Sequence, residues 1–215
     1  LKNRGVRRFV RSVKMRFQSA DDRGAQLVEE RSVEKPRKNP RTSAIDLQKV
    51  KSLMRSAEKE IALQNFAEAE HILIQALTVN PEATEVQAEL AKLYLTTNRE
   101  AKAEALYKEL IVQRSDVTFY ANLGLAYYKQ GKYVDACFAY QEALNIDPQT
   151  PERSASLGRA CIAAQRYDNA APLLEKALVR LSKDTELLHL LAECYVQLSD
   201  NVKAEEVYRR INRLE

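Results

Sequence analysis

The chain is 215 residues long, 45% apolar and 30% charged, with 5 Gly, 6 Pro, 3 Cys and no Trp. That length suits one large domain or two small ones, and so little Gly and Pro argues against a many-stranded β fold and for a mostly helical protein. The net charge of +4 joins two unlike parts: residues 1–41 carry 13 basic and 5 acidic groups, and residues 42–215 carry 21 and 25. The basic character therefore belongs to the N-terminal segment and does not point to a nucleic-acid-binding fold.

Residues 1–17 contain Lys2, Arg4, Arg7, Arg8, Arg11, Lys14 and Arg16 and no acid, while Val6, Phe9, Val10, Val13 and Phe17 recur at helical spacing. This pattern predicts a basic amphipathic helix, and such a helix can lie on an anionic membrane surface. The same composition is what the positive-inside rule places directly after a transmembrane span on the cytoplasmic side. With Leu1 first in place of Met, the expectation is a piece of a longer, membrane-anchored protein, although no run of 18 apolar residues occurs here. Two other uses of the segment compete with this one. It can pack its stripe on the rest of the chain or on a second copy, or it can use its cations on nucleic-acid phosphates, the less favoured alternative.

Residues 18–41 are polar, with Gly24, Pro36 and Pro40, and read as a flexible linker. Thr42 or Ser43 can cap the next helix, which runs through Ile45, Leu47, Val50, Met54 and Ala57. That helix is expected to be longer than those after it, with an extension covering the end of the domain.

From residue 50 the sequence repeats. Small residues recur at Ala57, Ala91, Gly124, Gly158 and Ala192, in steps of 34, 33, 34 and 34. A second series, Ala69, Ala103, Ala136, Ala170 and Ala204, follows 12 residues behind each. The missing residue falls between Ala103 and Gly124, in a loop. The units are about 50–83, 84–116, 117–150, 151–184 and 185–215. In the third, Leu123, Gly124 and Tyr127 share one helix, and Ala136, Tyr140, Ala143 and Leu144 share a second. The polar turn Lys129-Gln130-Gly131-Lys132 joins them. Small residues on both helices mark their closest approach, and Pro81 and Pro148 break the chain between units. One such hairpin cannot bury its apolar face alone, so the units must stack.

This pattern resembles the tetratricopeptide repeat over roughly residues 50–215, with departures at Glu60 and Cys161, where tyrosine is expected. The resemblance implies an all-α fold: ten helices in a right-handed solenoid, with the first helix of each pair lining a concave groove. It also implies a non-catalytic scaffold that binds a peptide or helix of a protein partner there. The alternatives are a nucleic-acid-associated factor working through the basic arm, and a regulatory module of a larger enzyme.

No site chemistry competes with this reading. Cys137, Cys161 and Cys194 cannot pair completely, show no CxxC and occupy packing positions, which argues for a reducing, cytoplasmic setting and against a metal. His71 and His189 read as partly buried structural residues. No nucleotide-binding, metalloprotease or nucleophile-elbow motif occurs, so no enzyme activity, cofactor or metal is expected. The recurrent tyrosines Tyr94, Tyr127, Tyr195 and Tyr107, Tyr140, Tyr208 read as repeat packing.

Binding residues should be those on first helices that packing does not dictate: Glu89, Lys92, Asn122, Tyr128, Lys129, Arg159, His189 and Glu193. Lys92, Asn122 and Arg159 suggest a ligand with some acidic character. Some proteins of the family grip a peptide carboxylate with Lys, Asn, Asn, Lys and Arg. The same window here holds Ala88, Lys92, Asn122, Glu152 and Ser156, where only Asn122 matches and Glu152 repels.

Overall fold

The structure, a computed structural model, describes residues 44–214. The basic helix, the linker and the cap at Thr42 or Ser43 lie outside the described residues. Ten α-helices follow one another: α1 Ala44–Ala62, α2 Phe66–Val79, α3 Thr84–Thr96, α4 Glu100–Gln113, α5 Val117–Lys129, α6 Tyr133–Ile146, α7 Pro151–Ala163, α8 Tyr167–Leu178, α9 Thr185–Gln197 and α10 Asn201–Ile211. They pair as five antiparallel hairpins. Each hairpin packs on the next, so that first helices sit in one layer and second helices in another. The first helices α3 and α5, and α7 and α9, also touch one another directly; no two second helices make comparable contact.

The small residues lie where the helices cross. Ala57, Ala69, Ala91, Ala103, Ala126, Ala136, Ala143, Ala160, Ala170, Ala177 and Ala192 are all fully buried. A Cβ on Gly124 would stand 2.8 Å from the ring of Tyr140, and one on Gly158 would stand 2.8 Å from the end of Leu174. The larger residues fill the remaining space around these crossings. Leu73, Tyr107, Tyr140 and Leu174 recur on second helices and are buried, Tyr107 to 1% and Tyr140 to 8% exposure. Tyr208 continues that series on α10. No helix covers it among the described residues, and it is 43% exposed.

A second period runs through the turns. Gln64, Asn98, Gly131, Gln165 and Ser199 all have positive φ, between 53° and 72°, and are spaced by 34, 33, 34 and 34 residues. Each ends its first helix in the same way. The amide of the following residue (Asn65, Arg99, Lys132, Arg166, Asp200) donates to the carbonyl five residues back, at 2.8–2.9 Å. This is the 6→1 bond of a Schellman ending. Only the third unit supplies the glycine that such a turn prefers.

Three side-chain caps reinforce helix starts: Asp116 accepts from the amide of Thr118, Asp184 from Leu187 and Asp200 from Lys203. The missing residue of the repeat is found at 114–116, a three-residue link where the preceding link, 80–83, has four.

Two expectations change. Ile45 and Leu47 at the start of α1 are exposed, Ile45 at 77%, so the extension does not seal the end of the domain; the buried stripe of α1 begins at Val50. His71 and His189 are exposed rather than partly buried, and the His71 ring meets the Gln75 amide at 2.8 Å.

Candidate functional site: the face of the first helices

The faces of α3, α5, α7 and α9 that do not pack on second helices carry a row of unlike side chains. Lys92, Leu125, Arg159 and Glu193 occupy one register on four successive first helices, 33, 34 and 34 residues apart. One residue earlier in each helix, the same series holds Ala91, Gly124, Gly158 and Ala192. Small size is required at the crossing, whereas the neighbouring position takes residues of any size, Leu125 resting on the core and Lys92 and Glu193 exposed. Ala88, Ala121, Leu125, Tyr128, Ile162 and Leu190 are half-buried on these helices, so the surface is partly apolar with charged residues among the apolar ones.

Several of the expected binding residues are brought together and others are turned to different work. Lys92 pairs with Glu89 at 3.5 Å along α3. Arg159 crosses from α7 to α9, where its Nε and an Nη both donate to Glu186 at 3.2 and 3.0 Å. His189 and Glu193 are exposed on α9.

Asn122, by contrast, donates to the hydroxyl of Tyr107 at 3.0 Å and braces the packing of α5 on α4. Tyr128 lies edge-on to Tyr133 of its own hairpin, with ring centroids 5.4 Å apart. Lys129 donates to the Leu95 carbonyl at 3.2 Å and to Asn98 at 3.1 Å, tying the turns of adjacent units together. Each of the three cations thus has an intramolecular partner, and an acidic ligand would have to compete with Glu89 and Glu186. Glu186 itself was overlooked in the sequence. It stands at the register that carries Glu85, Thr118 and Glu152 on the other first helices, and that register was the available signal.

The densest polar chemistry lies between units. Glu70 of α2 accepts from Arg99 at 2.6 Å, and Arg99 stacks over the Tyr94 ring. One repeat later, Glu104 of α4 accepts from Lys108, from Lys132 at 2.8 Å and from Gln130 at 2.9 Å. Burial alone would raise the Glu104 pKa. The hydrogen bonds from Lys108, Lys132 and Gln130 outweigh it and bring the carboxyl down to about 2. Burial pushes the Tyr107 hydroxyl up to about 12 despite the bond from Asn122, and the Cys194 thiol up to about 11. These groups sit within the packing between helices. Among the described residues, no group of three or more His, Cys, Asp or Glu could hold a metal, and no helix is long and apolar enough to cross a membrane.

Known proteins with the same pattern agree with the geometry. Tetratricopeptide repeat family models match residues 117–150 and residues 60–126 and 162–215. Tetratricopeptide repeat protein 21B of Xenopus laevis is 26% identical over 164 residues, which is 76% of this chain and 12% of that protein. Human cilia- and flagella-associated protein 70 is 26% identical over 162 residues, 74% of this chain and 14% of its own length. The chain spans about an eighth of the length of these relatives. A crystal structure of MamA superposes with a TM-score of 0.74 at 18% identity, covering 78% of this chain and 92% of that one. MamA from Desulfovibrio magneticus gives 0.73 at 14% identity, covering 77% and 94%. At these identities the likeness is one of fold. With the repeat, the hairpins and the turns all in register, the chain belongs to the tetratricopeptide repeat family.

Proposed function

We propose that the solenoid is a non-catalytic protein-interaction scaffold that takes a peptide or helix of a partner along the face of its first helices. The observation that carries this reading is the row Lys92, Leu125, Arg159 and Glu193: four chemistries at one register, beside a register where packing permits only Ala or Gly. A preorganised surface of this kind loses little conformational freedom on binding, so modest contacts suffice for affinity. Because Lys92 and Arg159 are already paired with acids, the favoured ligand presents both charges over an apolar strip.

The test compares partner capture by the wild-type chain, by Lys92→Ala/Arg159→Ala, and by Glu109→Ala/Lys176→Ala on second helices. Loss confined to the first pair, with an unchanged unfolding midpoint, supports the groove. Equal capture by all three removes it.

The basic segment 1–17, outside the described residues, supports a second element of the proposal: attachment beside the cytoplasmic face of an anionic membrane. The full chain should sediment with anionic vesicles at low salt, and residues 42–215 should not. Identical behaviour of the two would refute attachment. Exposed Tyr208 and Val202 at the C-terminal end support self-association there, which Tyr208→Glu should abolish in sedimentation velocity; a monomeric wild-type chain would dispose of it.

A further inference from the structure

The junction between the third and fourth units departs from the two before it. At those earlier junctions an acid on the second helix (Glu70, Glu104) faces the first helix and turn of the next unit, with its tyrosine (Tyr94, Tyr127) and its cation (Arg99, Lys132). The steps of the repeat carry the acid position to Cys137 on α6, the tyrosine position to Cys161 on α7, and the cation to Arg166. The two sulfurs lie 3.7 Å apart, and both residues are buried, at 5% and 4% exposure. The Arg166 amide donates to the carbonyl of Cys161 at 2.8 Å, which fixes the arginine's backbone beside the pair. Cys194, the third cysteine, is buried on α9 and is not part of this contact.

We infer that Cys137 and Cys161 are an oxidation site: a small peroxide converts them to a disulfide that staples α6 to α7. A disulfide needs its sulfurs about 2.05 Å apart, so they must close by roughly 1.7 Å from their 3.7 Å contact. The nearby charge of Arg166 favours a thiolate at either sulfur of the pair. One sulfur of the pair is the attacking thiolate and the other the resolving thiol.

The attacking thiolate takes one peroxide oxygen, the O–O bond breaks, and hydroxide leaves with the proton that the thiol gave up, as water. The resulting sulfenic acid is attacked by the sulfur of the other cysteine. The S–O bond breaks, and the departing oxygen takes that thiol's proton to leave as a second water. Two thiols lose two electrons and two protons, and one hydrogen peroxide becomes two waters. Burial excludes bulky disulfides from the pair and selects a small oxidant. The staple fixes the angle between the third and fourth units and, with it, the spacing of α5 and α7. The inference does not depend on what occupies the groove.

The full chain is treated with hydrogen peroxide, quenched, denatured and labelled with N-ethylmaleimide, then examined by intact mass and peptide mapping. Untreated protein should take three labels. Oxidised protein should take one, on Cys194, with a peptide pair joined through Cys137 and Cys161; dithiothreitol should restore all three. Cys194→Ser should take no label after oxidation, and Cys161→Ser should form no intramolecular link. Three labels after peroxide would overturn the inference. So would a link through Cys194, a link between two chains, or label loss with no joined peptide.

Discussion

Gly124 offers the sharpest test of how the hairpins pack. An alanine there would place its Cβ 2.8, 2.8 and 2.9 Å from three ring atoms of Tyr140, well inside ordinary contact. Tyr140 is 8% exposed and cannot swing into solvent. The ring or the helix must move by about half an ångström or more, and overpacking of this kind costs roughly 1–3 kcal/mol. Against this, replacing Gly by Ala inside a helix gains about 0.5–1 kcal/mol. Gly124→Ala should therefore destabilise by about 0.5–2 kcal/mol, and Gly124→Leu by more. In a Tyr140→Leu background the flexible side chain can yield, and Gly124→Ala should become neutral or stabilising. Urea unfolding followed by far-ultraviolet circular dichroism reads the midpoints. Amide exchange on α5 and α6 locates the effect, since a solenoid need not unfold as one unit. A higher midpoint for Gly124→Ala in both backgrounds would show that α5 and α6 do not cross at this residue.

The turns and junctions yield further expectations. Gly131 has φ +72° and open space around its Cα, so Gly131→Ala should cost about 1 kcal/mol through backbone strain alone; Gln165→Gly at the equivalent turn should relieve that strain and be neutral or stabilising in the same urea assay. Glu104 has its folded pKa depressed to about 2, so its contribution is present above the unfolded value near 4.5 and is lost as pH falls toward 2. That contribution is on the order of 1–3 kcal/mol, and the decline in stability across this window should flatten in Glu104→Gln. Arg159→Ala should leave stability within about 0.5 kcal/mol, since its pair with Glu186 is largely exposed; a loss above 2 kcal/mol would make Arg159 a packing residue.

The fold was legible because close helix crossings leave a signature in residue size. Ala or Gly at Ala57, Ala91, Gly124, Gly158 and Ala192 is a steric demand, and it recurs with each hairpin. The turn conformation was legible in one unit only. Gly131 announces a positive φ, whereas Gln64, Gln165 and Ser199 adopt one because the 6→1 bond and the packed helices on either side impose it. Tertiary structure overrides local preference at those three residues. The fate of Ile45 and Leu47 was hidden for a related reason: periodic apolar spacing describes a helix face but does not say whether a neighbour covers it.

The candidate site was legible by position and not by pairing. Subtracting the packing pattern from the first helices returns Lys92, Arg159, His189 and Glu193, which are exposed or partly exposed, and with them Asn122 and Lys129, which reach across to other units. Their partners, the Tyr107 hydroxyl and the Leu95 carbonyl, lie 15 and 34 residues away and follow from how one unit seats on the next. A repeat reveals which residues each unit needs for itself. It is silent on the contacts that a particular pair of units makes. The three junctions Glu70–Arg99, Glu104–Lys132 and Cys137–Cys161 each carry such a contact. The first two place an ion pair at this position and the third a pair of thiols. Oxidation should therefore stiffen the third junction and leave the first two unchanged, which amide exchange across α6 and α7, compared with α2 and α3, would resolve.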